Sequence, residues 1–196
     1  WVEQIINGYS SSIQLLTSVN SSNQIKCEFS MIDTIKYALS GTSTNVTVNG
    51  LPTGITSRIS NDTLYIEGTS STDFSQQTRY LYTVQSLGGD DQTSGSFKFN
   101  PSATATLTSG NLTQSSCLGQ DISPIVFTLS GAVPNANVTG LPTGVIASIS
   151  GNSLTISGSP SSTIANGSTY PFSIQSLAET CDPVTVQGSI SFSDCS

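Results

Sequence analysis

The sequence Gly50-Leu51-Pro52-Thr53-Gly54 returns as Gly140-Leu141-Pro142-Thr143-Gly144, 90 residues further along the chain. Flanking residues repeat at the same spacing, as Val84-Gln85-Ser86-Leu87 and Ile174-Gln175-Ser176-Leu177 show. Self-similarity this long and regular is the signature of a repeat architecture. The chain is therefore predicted to contain two repeats of one structural unit.

The repeated motif has the chemistry of a tight turn. Proline fixes φ at the second position of a four-residue turn and glycine accepts the exit geometry at the fourth, so Leu51-Pro52-Thr53-Gly54 predicts a type I turn. Leu51 suits a strand end that places one apolar side chain beneath the turn. No residue of the motif carries charge or a reactive group, which favours a structural role over a ligand-binding loop.

The composition favours strands. The chain has 196 residues, 9% of them charged, and a mean hydropathy of +0.02. Serine and threonine fill the polar positions, and short segments rich in Thr, Val, Ile and Tyr are separated by Gly, Asn and Pro. A repeat of about 90 residues has the size of a β-sandwich that buries its own core.

Apolar alternation and bounding turn residues predict eight strands in the first repeat and seven in the second. The first set is Ile13–Thr17, Ile25–Phe29, Thr34–Leu39, Asn45–Val48, Thr56–Ile59, Thr63–Glu67, Arg79–Gln85 and Ser94–Phe99. The second set is Ala103–Thr108, Ile125–Leu129, Asn137–Thr139, Val145–Ile149, Ser153–Ser157, Tyr170–Gln175 and Thr185–Phe192. Asn61-Asp62 and Gly151-Asn152 each separate two strands and predict tight hairpins.

The charge distribution excludes several classes of partner. The net charge is −7, and the first repeat contains all the basic residues, Lys26, Lys36, Arg58, Arg79 and Lys98. Without a positive patch to neutralise phosphates, we expect no nucleic-acid partner and no binding to an anionic membrane surface. No apolar run approaches the length of a membrane span, so no membrane insertion is expected.

Residues 1–12 have no counterpart between the repeats and are strongly apolar. Their spacing favours one or two turns of amphipathic helix, with a strand as the alternative. We expect this candidate docking segment to bury itself on its own domain or on a neighbouring molecule, through Trp1, Val2, Ile5, Ile6 and Tyr9. The chain begins at Trp1 without a methionine or a signal peptide, as expected for a processed mature form or an excised segment.

The predicted organisation is all-β, with two tandem immunoglobulin-like β-sandwich domains. Seven or eight short strands with turns every roughly eight to twelve residues describe such a sandwich. The N-terminal extension covers residues 1–12, the first domain residues 13–100 and the second domain residues 101–196.

Two runs in the second repeat carry a family resemblance. Residues 138–144 read VTGLPTG, and residues 151–160 read GNSLTISGSP. They resemble the immunoglobulin-like repeats of large bacterial surface proteins, especially the tandem repeats of Bacteroidota adhesins, in which a cysteine pair also frames the unit. The resemblance covers nearly the whole chain outside residues 1–12. It implies a stalk, adhesin or fibre at the cell surface and identifies no ligand.

The four cysteines indicate an oxidising, extracellular environment. Cys117 lies at the start of the second repeat and Cys181 follows the strand that ends near Leu177, so a Cys117–Cys181 disulfide is predicted. The first repeat keeps Cys27 but has Asp91 where Cys181 should align. A pair half lost in one repeat fits an optional disulfide better than a zinc site, which needs four close ligands.

Cys27 and Cys195 are then left over. An extended tandem would hold them far beyond the roughly 7 Å between Cα atoms that a disulfide tolerates. They are therefore candidate intersubunit thiols, joining Cys195 of one molecule to Cys27 of the next. Two unpaired thiols are the alternative.

No residue pattern indicates catalysis. The absence of histidine excludes Ser/His/Asp and Cys/His mechanisms. Two acids across a cleft would suffice for a glycosidase, but the adjacent Asp90 and Asp91 lie in a Gly-rich loop that favours a solvated role. We expect no enzymatic activity, no cofactor and no metal.

Acceptor motifs for glycosylation are frequent. Asn-x-Ser/Thr occurs at Asn20, Asn45, Asn61, Asn111, Asn137 and Asn166. Thr34 and Thr63 each follow an aspartate, and these triplets resemble the short O-glycosylation acceptor motif of Bacteroidota. Glycans would shield Ser/Thr-rich sandwich faces and sheet edges.

These features predict an extracellular structural protein, the subunit of a surface filament or adhesin stalk that associates head to tail. A glycan-binding adhesin module, with a cell-surface or glycan partner, is the alternative and would need exposed aromatic residues as a sugar platform. An accessory domain of an enzyme is a third reading, which differs only in what it was attached to.

Overall fold

A computed structural model describes residues 11–41, 45–74, 77–88, 91–132, 134–177 and 180–195. The chain divides into two compact units, residues 1–100 and residues 101–196. The predicted docking residues Trp1, Val2, Ile5, Ile6 and Tyr9 lie outside the described residues.

The described residues of the first unit form eight strands in two four-stranded sheets. The strands are β1 (Ser12–Leu15), β2 (Asn23–Cys27), β3 (Ile35–Ser40), β4 (Val46–Asn49), β5 (Ile55–Ser60), β6 (Thr63–Gly68), β7 (Thr78–Ser86) and β8 (Gln92–Asn100). One sheet has the order β1-β3-β6-β5 and the other β2-β8-β7-β4. Neighbouring strands are antiparallel except β2 and β8, which are parallel. A short 3-10 helix, Val19–Ser22, connects β1 with β2.

The second unit repeats this plan. Its strands are β9 (Thr104–Ser109), β10 (Thr113–Cys117), β11 (Ile125–Ser130), β12 (Asn135–Thr139), β13 (Val145–Ser150), β14 (Ser153–Gly158), β15 (Thr169–Leu177) and β16 (Thr185–Ser193). The sheets have the orders β9-β11-β14-β13 and β10-β16-β15-β12, and β10 and β16 are the parallel pair. Each strand thus occupies the place of the strand eight numbers before it.

The all-β prediction is confirmed, and every predicted strand is present. The prediction missed β10, Thr113–Cys117, because its sequence contains no large apolar residue whose alternation could reveal it. The repeat could have revealed this strand, because the equivalent strand β2 lies 90 residues earlier in the first unit.

Each unit has its own apolar core between its two sheets. In the first unit, Ile35 and Leu64 from one sheet pack in one cluster with Tyr82 and Phe97 from the other. The corresponding cluster of the second unit contains Ile125, Leu154, Phe172 and Ile190. Each unit is therefore a β-sandwich with a complete interior.

A glutamine side chain joins the two sheets in each unit. Gln24 on β2 donates from Nε2 to the carbonyl of Asp33, and its Oε1 accepts the Asp33 N–H, both at 2.8 Å. Gln114 on β10 makes the same two bonds with Ser123, both at 3.0 Å. Because Asp33 and Ser123 lead into β3 and β11, each glutamine ties an edge strand of one sheet to the entry of the other.

The repeated glycine–proline motif forms a different turn from the predicted one. The N–H of Ile55 donates to the carbonyl of Pro52 at 3.1 Å, so proline is the first residue of the turn and not the second. Gly54 is then third, and its φ of +90° is the conformation that a type II turn requires there. Val145 donates to Pro142 in the same way at 3.0 Å. The predicted type I turn is wrong because the glycine with positive φ sets the geometry.

Both predicted hairpins are confirmed. Ser60 pairs with Thr63 around Asn61-Asp62, and both loop residues have positive φ, as a type I′ turn requires. Gly151-Asn152 occupies the same place between β13 and β14.

A buried tyrosine pair distinguishes the first core from the second. The hydroxyls of Tyr37 on β3 and Tyr82 on β7 lie 3.0 Å apart, and Tyr82 also donates to the carbonyl of Ser22 at 3.3 Å. The second unit has Phe127 and Phe172 at the corresponding positions. The same sandwich thus forms with a hydroxyl pair or with two phenyl rings at this point.

Burial raises the pKa of both tyrosines. For Tyr82, burial is the largest cause and the hydrogen bond with Tyr37 raises the pKa further. For Tyr37, burial outweighs hydrogen bonds that lower the pKa. The folded-state pKa values therefore exceed the unfolded value of about 10. The stability that this shift contributes is fully present below about pH 10 and is lost as the pH rises above it.

The double variant Tyr37→Phe with Tyr82→Phe reproduces the phenylalanine pair of the second unit. We expect the free energy of unfolding of the wild type to fall more steeply above about pH 10 than that of the double variant. The single variant Tyr82→Phe should cost about 1–2 kcal/mol at neutral pH, because the buried Tyr37 hydroxyl loses a partner. Urea unfolding at about pH 8 and about pH 11 measures both effects. Equal pH dependence in the wild type and the double variant would contradict this account.

Candidate functional site

The described residues show neither a metal-binding cluster nor a membrane-spanning helix. In this part of the chain, no group of three or more His, Cys, Asp or Glu side chains is placed to hold a metal ion. The described helices include none with the length and apolar character needed to cross a membrane.

Asp91 is a structural residue, which differs from the solvated role predicted for it. Its Oδ2 accepts the N–H of Ile13 at 2.6 Å, and its Oδ1 accepts the N–H of Gln92 at 2.8 Å. The carboxylate therefore ties β1 to the segment that enters β8. Asp90, its predicted partner, lies outside the described residues.

A shallow depression of about 390 Å³ lies beside the 3-10 helix of the first unit. Its lining consists of Thr17, Ser18, Asn20, Ser21, Asp33 and Thr34. The one ionisable side chain among them, Asp33, is paired with Lys26 Nζ at 2.9 Å. Hydroxyl and amide groups of this kind offer hydrogen bonds to a polar ligand, but they provide no positioned acid and base.

The disulfide pairing differs from the predicted one. Cys117 is bonded to Cys195, with 5.6 Å between the Cα atoms, so the predicted Cys117–Cys181 bond is wrong. The parallel pairing of β10 with β16 explains this, because it places Cys117 beside Ser193, two residues before Cys195. Cys181 precedes the opposite end of β16, about 25 Å away along the nine-residue strand.

All four cysteines lie in the described part of the chain, and all are disulfide-bonded. Cys27 and Cys195 are therefore not thiols that could link neighbouring molecules, and the alternative of two unpaired thiols is also wrong.

The predicted alignment of Asp91 with Cys181, which assumed a constant spacing of 90 residues, is also wrong. Ser86 Oγ accepts the N–H of Asp91 at 3.2 Å, and Ser176 Oγ accepts the N–H of Val184 at 2.8 Å. Val184, and not Cys181, therefore occupies the place of Asp91. The connection before β16 is three residues longer than its counterpart, and Cys181 lies within this longer loop.

The six acceptor asparagines are all exposed, whereas Thr34 and Thr63 are half-buried. Asn61 lies at the tip of the β5–β6 hairpin, and Asn137 lies on the edge strand β12. Asn166 already uses its Oδ1 to accept the N–H of Asp194 at 2.9 Å. All six acceptor asparagines therefore lie on the surface.

A charged aromatic cluster lies on the outer face of the first sheet and was not singled out from the sequence. Tyr65 on β6 pairs across the strands with Lys36 on β3 and Arg58 on β5. The Arg58 guanidinium carbon is 4.1 Å from the centre of the tyrosine ring, and Lys36 Nζ is 5.5 Å from it. Arg58 Nε also forms an ion pair with Glu67 at 2.7 Å. The predicted hairpin at Asn61-Asp62 could have revealed this contact, because a two-residue loop there places Arg58 opposite Tyr65.

Comparison with solved structures finds tandem immunoglobulin-like domains. An I-band fragment of titin matches with a TM-score of 0.59 at 9% identity, covering 94% of this chain and 65% of that chain. A mutated variant of the same titin domains matches with a TM-score of 0.59 at 9% identity, covering 95% and 66%. The chain thus spans about two thirds of the length of these fragments. At this identity the likeness shows the fold, which is two tandem immunoglobulin-like β-sandwich domains.

A scan against protein-family models finds no match. A search of curated proteins also finds none.

Removing the observed disulfide should weaken the second unit selectively. The variant Cys117→Ser with Cys195→Ser opens a loop with a sequence separation of 78 residues, and we expect a loss of about 2–4 kcal/mol in the free energy of unfolding of this unit. Hydrogen exchange of β10 and β16, compared with β2 and β8 as the internal control, measures the effect. Peptide mapping that joined Cys117 to Cys181 would overturn the assignment.

Proposed function

We propose that the protein is an extracellular structural subunit of a surface filament or adhesin stalk, and that it is not an enzyme. The observation that carries this proposal is the pair of complete sandwich units, each closed around its own apolar core. The described surface offers hydroxyl and amide groups, with few charges and no acid–base arrangement. Units of this kind serve as spacers, and their specific contacts are made by edges and termini.

The cysteine chemistry supports an extracellular location. All four cysteines are disulfide-bonded, which is usual for proteins outside the reducing cytosol. The resemblance of residues 138–144 and 151–160 to Bacteroidota-type surface repeats supports a position at the cell surface.

Glycosylation is part of the proposal. The exposure of Asn20, Asn45, Asn61, Asn111, Asn137 and Asn166 supports it, because an acceptor must be reachable by the transferase. The half-buried Thr34 and Thr63 are weaker candidates. A single unmodified mass for protein purified from its natural source would refute the modification.

The proposed association is head to tail through the apolar N-terminal segment. Trp1, Val2, Ile5, Ile6 and Tyr9 supply the apolar surface of this segment. A contact between two different surfaces of the same chain does not close on itself, so it generates an open fibre. The disulfide-bonded cysteines leave this contact non-covalent.

Charges placed in the N-terminal segment should prevent assembly. We expect the full chain to form filaments, and the variant Ile5→Asp with Ile6→Asp to remain a folded monomer, because a buried carboxylate is costly. Sedimentation velocity over a range of protein concentrations, with negative-stain electron microscopy, measures the difference. The matched control, Gln4→Asp with Asn7→Asp, adds the same charge at polar positions and should still assemble. A full chain that stayed monomeric at high concentration would refute the proposed function.

A glycan-binding adhesin module is the second candidate, and Tyr65 is the observation that favours it. Tyr65 is an aromatic side chain on an outer sheet face, beside Lys36 and Arg58. Against it, the Arg58 guanidinium lies over the ring where a sugar would stack. A glycan array separates the candidates: binding that is lost in Tyr65→Ala would support the adhesin module, and no binding is expected for a structural subunit.

A further inference from the structure

We propose that β13, an edge strand of the second unit, is the acceptor for the N-terminal segment of a second molecule, which adds to it as an extra strand. This inference rests on the proposed head-to-tail function and names the surface that receives the segment. It also selects the extended form for residues 1–10 over the helical one.

Edge strands are where a sandwich can accept another strand, because half of their backbone N–H and C=O groups have no partner in the sheet. In the part of the second unit that the structure describes, four strands lie at sheet edges, namely β9, β10, β12 and β13. Three carry features that oppose strand addition. A register shift at Val126/Phe127 interrupts the pairing of β9, β10 ends at the Cys117–Cys195 bond, and β12 carries the exposed acceptor Asn137.

The β13 edge has none of these features. Its six residues pair with β14 in unbroken register, from Val145 opposite Gly158 to Ser150 opposite Ser153. Neither strand contains a charged residue or a proline. Ile146 is 63% exposed and Ile149 is 38% exposed. An exposed, regular, uncharged edge with β-branched residues favours pairing with a further strand.

The equivalent edge strand of the first unit, β5, is protected against the addition of a further strand. β5 has the same length, place and register, but it carries Arg58, which pairs with Glu67 on β6. The tip of this hairpin also carries the acceptor Asn61. The second unit has Ser148, Ser157 and Gly151 at these three places. The hairpin therefore carries features that oppose strand addition in the first unit and lacks them in the second unit.

The N-terminal segment fits this edge in length and chemistry. Ten extended residues span about 33 Å, and the six-residue edge spans about 20 Å. Half of the residues 1–10 are Trp, Val, Ile or Tyr, the types that favour strands. The segment has one charged residue, Glu3, and the β13–β14 hairpin has no charge that would repel it. Exposed Ile146 offers an apolar contact to its side chains.

Transferring the protection of β5 to β13 tests the inference. The full-length variant Ser148→Arg with Ser157→Glu copies the Arg58–Glu67 pair onto the bare hairpin, which should keep its fold because β5 and β6 carry the same pair. We expect the protein concentration needed for half-assembly in sedimentation velocity to rise by about tenfold or more. The matched control Thr106→Arg with Thr128→Glu places the same two charges on β9 and its neighbour β11, at the other edge of the same sheet, and should assemble like the wild type.

The two ideas fail in different ways. A wild type that does not assemble refutes both the proposed function and this inference. A wild type and a Ser148→Arg/Ser157→Glu variant that assemble equally refute only the inference.

Photo-crosslinking identifies the occupant directly. Full-length chains with a benzophenone amino acid at position 146 are mixed in light and heavy isotopic forms, assembled and irradiated. We expect crosslinked peptides that join position 146 of one isotopic form to residues 1–10 of the other. Crosslinks only within one chain, or to a different segment, overturn the inference even where the charged variant fails to fold.

Discussion

The contact between two apolar sheet faces holds each unit together, and the other features are arranged around it. Strand alternation sends side chains such as Ile35 and Phe97 inward, where each contributes roughly 1.5–3 kcal/mol by leaving water. Gln24 and Gln114 then hold an edge strand of one sheet against the segment that leads into the other sheet. They can do this because a side-chain amide both donates to and accepts from one backbone residue. The interior tolerates either the Tyr37–Tyr82 pair or two phenylalanines because both fill the same space.

The outward-facing positions are free of this constraint, and there the two units diverge. The first unit uses Tyr65, Lys36, Arg58 and Glu67 to build a charged cross-strand ladder on one face. The second unit has uncharged residues at the corresponding places, so its β13 edge is bare. A repeat protein gains a specific contact in this way: one fold supplies equivalent edges, and the sequence decides which of them stays open.

The direction of the strands decides the covalent chemistry. Because β10 runs parallel to β16, the carboxyl ends of both strands lie at the same end of the sheet. Cys117 and Cys195 are close enough there to form a disulfide. Bonding of all four cysteines removes thiols from the outer surface. The proposed assembly therefore depends on apolar side chains and backbone hydrogen bonds, which can form and separate without a change in redox conditions.

The sequence alone determined the repeat, the strand-rich architecture and both hairpins, because periodicity and turn chemistry are local properties. It missed β10, whose residues Thr113–Cys117 have no apolar alternation, and it shifted the turn at Pro52 by one residue. The disulfide pairing and the role of Asp91 were decided by tertiary structure, since both depend on which strands lie side by side and on a three-residue difference in loop length. The unprotected state of β13 likewise follows from its place at the edge of a sheet, which strand order fixes and local sequence does not.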